Sequence, residues 1–411
     1  MINVTRLVTG GETESDSLRY GEKRGGEGNG HGHGMGHGMG ASPPKSASER
    51  HPVVVWNLTR TCNLHCVHCY TDSANRAYPG ELSLDECRAV IDDLASFGIP
   101  ALLLSGGEPL VHPHFWEIAG YARSKGLRLT LSTNGTLIDA ECAKRIHETG
   151  FSYVGISFDG IGEVNDRFRG KKGAYDEALG GVKNLMAVGQ KVGLRLTLTR
   201  RNYESLDEIF AMIEREGIQR ACFYHLVYAG RGGKMQSDDL SHAETRDAMD
   251  KIIDHTRDLI AKGLGTEILT VDNHVDGPYI YMRLVRDEEL KRAMGALALM
   301  EWNGGGMYSS GVGIGDIDPQ GDVHADQFWQ THGFGNVRER PFSEIWMDES
   351  DPLMHGLKHR AEVMNETCKR CYFWKSCGGA FRARAALVHG DPWAMDPGCY
   401  LTEKERAGIV A

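Results

Sequence analysis

Between residues 52 and 226 short apolar runs alternate with amphipathic stretches, and this regularity restricts the fold more than any other feature of the chain. The runs at 53–58, 101–104, 127–132, 153–158, 193–198 and 221–226 have the length and composition of strands. The stretches at 83–97, 113–125, 140–149, 174–188 and 205–216 carry helical periodicity, and each closes on a glycine within a few residues. Ser83 followed by Glu86 reads as a capping box at the start of the first helix. Repeats close to the roughly 30 residues of a βαβ unit imply a parallel sheet with right-handed crossovers. The expected fold class is α/β, a partial TIM-like (β/α)6 barrel.

The active site of such a sheet lies beyond the carboxyl ends of its strands. Polar motifs fall at that end after four successive runs. Cys62, Cys66 and Cys69 follow the first, Ser105, Gly106, Gly107 and Glu108 the second, Ser132, Thr133 and Asn134 the third, and Ser157 with Asp159 the fourth. Cysteines spaced by four and three cannot share one face of a strand, but a loop can wrap them around one metal centre. Three thiolates are one ligand short of an iron–sulfur cube, which leaves an iron open to a non-protein ligand. A zinc tetrahedron completed by His65 or His68 is the competing reading.

Cys368, Cys371, Cys377 and Cys399 form a second set near the end of the chain. Four thiolates can close every corner of a cube, or a zinc tetrahedron. Cys87, Cys142 and Cys222 stand singly on helix or strand segments and read as small apolar residues. This grouping fits metal clusters in a reducing compartment better than a disulfide framework. Residues 309–324 read as a hairpin turning at Pro319 to Gly321, which opens the second module.

The remaining chain sets limits. Residues 25–50 are rich in glycine and histidine and are expected to be a disordered linker, in which His31, His33 and His37 are weak candidate metal ligands. The expected organisation is an N-terminal segment at 1–24, this linker, a core barrel at 51–240, a connecting helical region at 241–305 and a cluster domain at 306–411. In the connecting region His274 and Asp276 are candidates to face substrate. A net charge of −10 opposes general nucleic-acid binding. No apolar run is long enough to span a bilayer, and the N-terminus lacks a secretory apolar core. The expected location is cytoplasmic.

The cysteine triplet resembles the C-x3-C-x-Φ-C loop of the radical SAM superfamily, with His68 where an aromatic is usual. The resemblance implies a 4Fe-4S cluster on Cys62, Cys66 and Cys69, its open iron taken by S-adenosylmethionine. It further implies that Gly106, Gly107 and Glu108 hold the methionine end. Tyr70, Ser132, Asn134, Ser157 and Arg195 are implied as further cofactor contacts. The hairpin and late cysteines resemble the SPASM or twitch extension, which holds an auxiliary 4Fe-4S cluster on Cys368, Cys371, Cys377 and Cys399.

Tyr228 to Gly232, Asp276 to Pro278, His324 to Trp329 and Gly335 to Phe342 resemble enzymes that trim siroheme-derived tetrapyrroles, as does the segment from Ser15 to Gly21. That resemblance implies removal of acetate side chains from 12,18-didecarboxysiroheme to give iron-coproporphyrin III. Propionate removal, as in haem d1 synthesis, is the near alternative, and SPASM-type peptide maturation a more distant one. A non-catalytic iron–sulfur scaffold predicts no S-adenosylmethionine cleavage. The implied partners are a tetrapyrrole and a reducing donor such as flavodoxin or ferredoxin. Arg231, Lys234, Arg338, Arg340, Arg382 and Arg384 are available for substrate carboxylates.

Overall fold

A computed structural model describes residues 1–13, 16, 46–302 and 305–410. His31, His33, His37 and the Arg19 to Gly21 segment lie outside the described residues.

One ten-stranded sheet organises the chain. Its strands are β1 (Ile2–Asn3), β2 (Val53–Asn57), β3 (Leu102–Ser105), β4 (Leu129–Thr133), β5 (Tyr153–Ser157), β6 (Val192–Leu198), β7 (Arg220–His225), β8 (Glu267–Val271), β9 (Ile314–Ile317) and β10 (Val323–His324). From β2 to β8 neighbours follow chain order and every pair is parallel. The six expected strands are therefore present. Beyond them, β8 extends the parallel array inside a region expected to be helix, loop and helix.

The cluster module is joined to the barrel through backbone hydrogen bonds. Strand β9 pairs parallel with β2, Val55 opposite Asp316, and β10 folds back antiparallel on β9. The turn between them closes where the Gly321 amide donates to the Asp318 carbonyl, 3.0 Å away. At the other edge β1 runs antiparallel to β8.

Alternation along each strand separates packing from chemistry. On β6, Leu194, Leu196 and Leu198 join the core beneath the helices, whereas Arg195 and Thr197 face the barrel interior. On β4, Leu129 and Leu131 pack outward and Ser132 points in. Ser83 accepts from the Glu86 amide and starts the helix Leu84–Phe97, which ends at Gly98 in the left-handed conformation. Cys87 is buried in the outer core, Cys142 packs against it, and Cys222 lies inside the barrel with Leu269 and Val271. No disulfide joins the described cysteines. No helix among the described residues is long and apolar enough to cross a membrane.

Candidate active site

The carboxyl ends of the strands open into a cleft of about 1090 Å³, counting the space open to solvent at its mouth. Cys62, Cys66, Cys69, Tyr70, Gly106, Gly107, Ser132, Asn134, Ser157 and Arg195 all line it. One expected residue does not. Glu108 is fully buried, and its carboxylate accepts from Thr133 Oγ1 (2.8 Å), the Asn134 amide (2.8 Å) and the Leu110 amide (3.2 Å). It ties the loop after β3 to the loop after β4. Burial pushes its carboxyl up to about 7, against those three donors.

Gly106 and Gly107 are required by protein backbone. A Cβ on Gly106 would lie 2.4 Å from the Thr59 carbonyl oxygen, and one on Gly107 2.3 Å from that of Thr61. The Gly107 amide donates to the Thr59 carbonyl and the Glu108 amide to that of Thr61. The glycines therefore seat the β3 loop on the chain entering Cys62. Gly230 does the same from β7, since its Cβ would meet the Tyr70 carbonyl at 2.4 Å. Beside it the Arg231 amide donates to the Cys69 carbonyl (2.9 Å) and Arg231 Nε to the Cys66 carbonyl (2.7 Å).

Donors converge on the three sulfurs. The Leu64 amide points at Cys62 Sγ (3.4 Å), the Ser73 amide at Cys69 Sγ (3.4 Å), and Arg169 Nη1 at Cys66 Sγ (3.7 Å). Burial pushes the Cys62 thiol up to about 12 and also raises that of Cys66. Thiolates so buried require a cation among them. Among the described residues, the one set of three such ligand groups within 4.8 Å of one another is Glu349, His355 and His359. Tetrahedral zinc draws its sulfurs to about 3.8 Å apart, given Zn–S bonds near 2.3 Å. No three cysteine sulfurs among the described residues come that close.

His68 fills the usual aromatic position as an aromatic. Its ring packs edge-on against Phe168 at 5.7 Å, and Nε2 lies 3.3 Å from Asp159. Burial lowers its pKa, outweighing the pull of that carboxylate. Asp159 also pairs with Arg169 at 2.5 Å and accepts from the Thr197 amide. Tyr70 donates to Asn57 Oδ1 (2.9 Å), and Asn57 donates to Asp316 of β9 (2.9 Å), so the cysteine loop is tied to the cluster module. Cys368, Cys371, Cys377 and Cys399 together line a separate cavity with Phe373, Trp374 and Arg406.

Several expected substrate contacts are placed elsewhere. Arg231 lines the cleft, but Lys234, Arg338, Arg340, Arg382 and Arg384 do not. Arg338 and Arg340 pair with Glu86 and Asp348. Arg382 donates to the carbonyls of Gly379, Pro392 and Ala394, and Arg384 pairs with Asp396 at 2.8 Å. His274 bonds the amino terminus at 3.2 Å and does not line the cleft. Asp276 is fully buried, holding His225 Nε2 (2.8 Å) and accepting from the Tyr400 hydroxyl (2.7 Å). The cleft instead receives Arg169, His225, Asp272, Gln327 and Phe328. Arg169 precedes a helix-ending glycine, a common surface pattern, so the sequence carries no signal for it.

Residues 56–213 match the model of the Radical SAM superfamily, and residues 315–372 that of an iron-sulfur cluster-binding domain, SPASM. The chain is 50% identical over 408 residues to the Fe-coproporphyrin III synthase of Methanosarcina barkeri, covering 98% of both. It is 43% identical over 365 residues to the pre-heme d1 synthase of Dinoroseobacter shibae, covering 89% of this chain and 90% of that one. Streptococcus suis SuiB bound to S-adenosylmethionine superimposes with a TM-score of 0.66 at 17% identity, over 86% of this chain and 78% of that one, and shares the fold. The cofactors are 4Fe-4S clusters and S-adenosylmethionine. The chain is an enzyme of the radical SAM superfamily with a SPASM domain, and belongs to the family that includes the Fe-coproporphyrin III and pre-heme d1 synthases.

Proposed function

We propose that this enzyme removes the acetate side chains of 12,18-didecarboxysiroheme and yields iron-coproporphyrin III. The observation that carries the reading is the 50% identity to an Fe-coproporphyrin III synthase along 98% of both chains. Pre-heme d1 synthesis, supported by 43% identity over 89% of the chain, is the weaker reading.

Cys62, Cys66 and Cys69 hold the cluster that binds S-adenosylmethionine, and Cys368, Cys371, Cys377 and Cys399 the auxiliary one. When bound and reduced, this cofactor pair supplies a carbon radical able to take hydrogen from an unactivated side chain. The protein's part is placement. Ser132, Asn134, Ser157 and Arg195 present hydroxyl, amide and guanidinium groups along the cleft beside the cysteine loop. Arg195 is fixed by donating to Ser132 Oγ at 2.6 Å, and burial leaves its Nε without a partner. Arg169 Nε and Arg231 Nη2 are likewise buried and unpaired, which suits a ligand that displays several carboxylates. Leu226, Val227, Tyr224 and Phe328 make the apolar wall for a flat ring system and keep water from the reacting carbon.

The cluster takes its electron from a reducing donor such as flavodoxin or ferredoxin, and the enzyme works in the cytoplasm. The test is substrate-stimulated cofactor cleavage. Added 12,18-didecarboxysiroheme is expected to raise 5′-deoxyadenosine formation by the reduced holoenzyme. Stimulation by a peptide instead, with the pigment inert, contradicts the reading.

A further inference from the structure

Asp272, at the end of β8, has no part in the cysteine loop or in the cofactor contacts. It is nonetheless built into the cleft. Its backbone sits at φ +65°, in the left-handed region that a non-glycine residue occupies at a cost, and such strain persists where the surrounding structure enforces it. Its side chain lines the cleft, yet its Oδ2 is buried without a hydrogen-bond partner. Nearby, the Gln327 Oε1 that also lines the cleft is buried and unpartnered. A buried polar atom on a cleft-lining residue, with nothing in the protein to bond, is a ligand contact in waiting.

The surroundings decide its protonation. Burial raises the Asp272 carboxyl to about 7, and Asp326 pushes the same way. The amino terminus, Arg384 and His225 pull it down, less strongly. His225 is itself committed through Nε2 to Asp276, and Arg384 to Asp396. A carboxyl in this setting keeps its proton at slightly acid pH, and an O–H in the cleft needs an acceptor.

We propose that Asp272 is a substrate-binding acid that donates its proton in a hydrogen bond to a carboxylate of the substrate. The proposal rests on the tetrapyrrole reading above and deepens it. Arg169 and Arg231 attract carboxylates from the cysteine side and Arg195 from β6, and Asp272 receives one at the β8 side only in its neutral form. Above its pKa the two carboxylates repel, so substrate affinity is tied to pH at this residue.

The experiment titrates the cluster-loaded enzyme with ferric coproporphyrin III, which carries the carboxylates of the product, and follows its absorbance band from pH 6 to 8.5. Wild type is expected to bind about tenfold or more tightly at pH 6 than at pH 8.5. Asp272→Asn keeps a donor in the same place and is expected to bind with little pH dependence. Asp272→Val is expected to lose about tenfold at pH 6. Iron content and far-ultraviolet circular dichroism check that each variant is loaded and folded, and Asp272→Asn carries the test if Asp272→Val is not. Wild-type binding with an unchanged pH step in Asp272→Asn overturns the role of Asp272 alone. No binding by wild type at any pH removes the tetrapyrrole reading, and the proposal with it.

Discussion

Arg169 reaches Cys66 Sγ at 3.7 Å while the same guanidinium is paired with Asp159 at 2.5 Å. One cation therefore serves both a thiol of the cluster loop and a carboxylate that is itself fully buried. Replacing Arg169 with leucine leaves the Asp159 carboxylate beside His68, whose lowered pKa withholds a counter-charge. A buried charge deprived of its partner costs about 3–5 kcal/mol. Thermal unfolding of Arg169→Leu is expected to show this loss, and Asp159→Asn in the same chain to recover most of it. An Arg169→Leu protein as stable as wild type contradicts the pairing.

The two cysteine sets differ in what they leave open, so they separate by iron content and reactivity. Reconstituted enzyme is expected to hold about eight irons, four in each cube. Replacing Cys62, Cys66 and Cys69 with alanine is expected to leave about four and to abolish 5′-deoxyadenosine formation. Four irons with one zinc in the wild type would make the late set a zinc site.

Gly106 and Gly107 press on the carbonyls of Thr59 and Thr61, so a methyl group at either position must displace the chain that enters Cys62. Gly107→Ala is expected to weaken S-adenosylmethionine binding by about tenfold or more, since removing one charge-assisted contact already has that effect. Equilibrium dialysis against the labelled cofactor measures it. Glu108→Gln is expected to loosen the same loop by placing an amide donor against the Asn134 amide or the Leu110 amide, at about 1–3 kcal/mol.

His324 gives the cluster module a pH dependence. Asp318, 3.7 Å from Nε2, and Asp316 raise its pKa to about 9 despite burial. The folded value exceeds the unfolded one, near 6.5. The stabilisation is therefore complete below about pH 6.5 and is lost as pH rises through about 9. The difference in unfolding free energy between wild type and His324→Gln is expected to shrink across that window by roughly 3 kcal/mol. A difference that stays flat from pH 6 to 10 contradicts the assignment.

Periodicity and spacing made the barrel legible. Strands β2 to β7, the capping box at Ser83 and the β9–β10 hairpin are local patterns that need no tertiary information. Both cysteine sets were legible because thiols at loop spacings have few other uses. Strand β8 was not, since five residues from Glu267 to Val271 beside a long helix carry no period that separates strand from helix. The parallel pairing of β9 with β2 joins Ile314 to Val53 and has no local signature. Arginines fared worst. Arg382 and Arg384 are as charged in sequence as Arg195, yet the fold spends them on carbonyls and Asp396 and gives the cleft Arg169 instead. Glu108 was expected among the cofactor contacts, but its carboxylate is turned to Thr133 and Asn134, 25 and 26 residues away, which no local pattern announces.

Product mass decides which side chain the enzyme removes. Reduced, reconstituted enzyme is incubated with S-adenosylmethionine and 12,18-didecarboxysiroheme, and the pigment is followed by mass spectrometry. Stepwise loss of acetate side chains, ending at iron-coproporphyrin III, is the expected result. Loss at the propionate positions, or an unchanged pigment while S-adenosylmethionine is consumed, would contradict it.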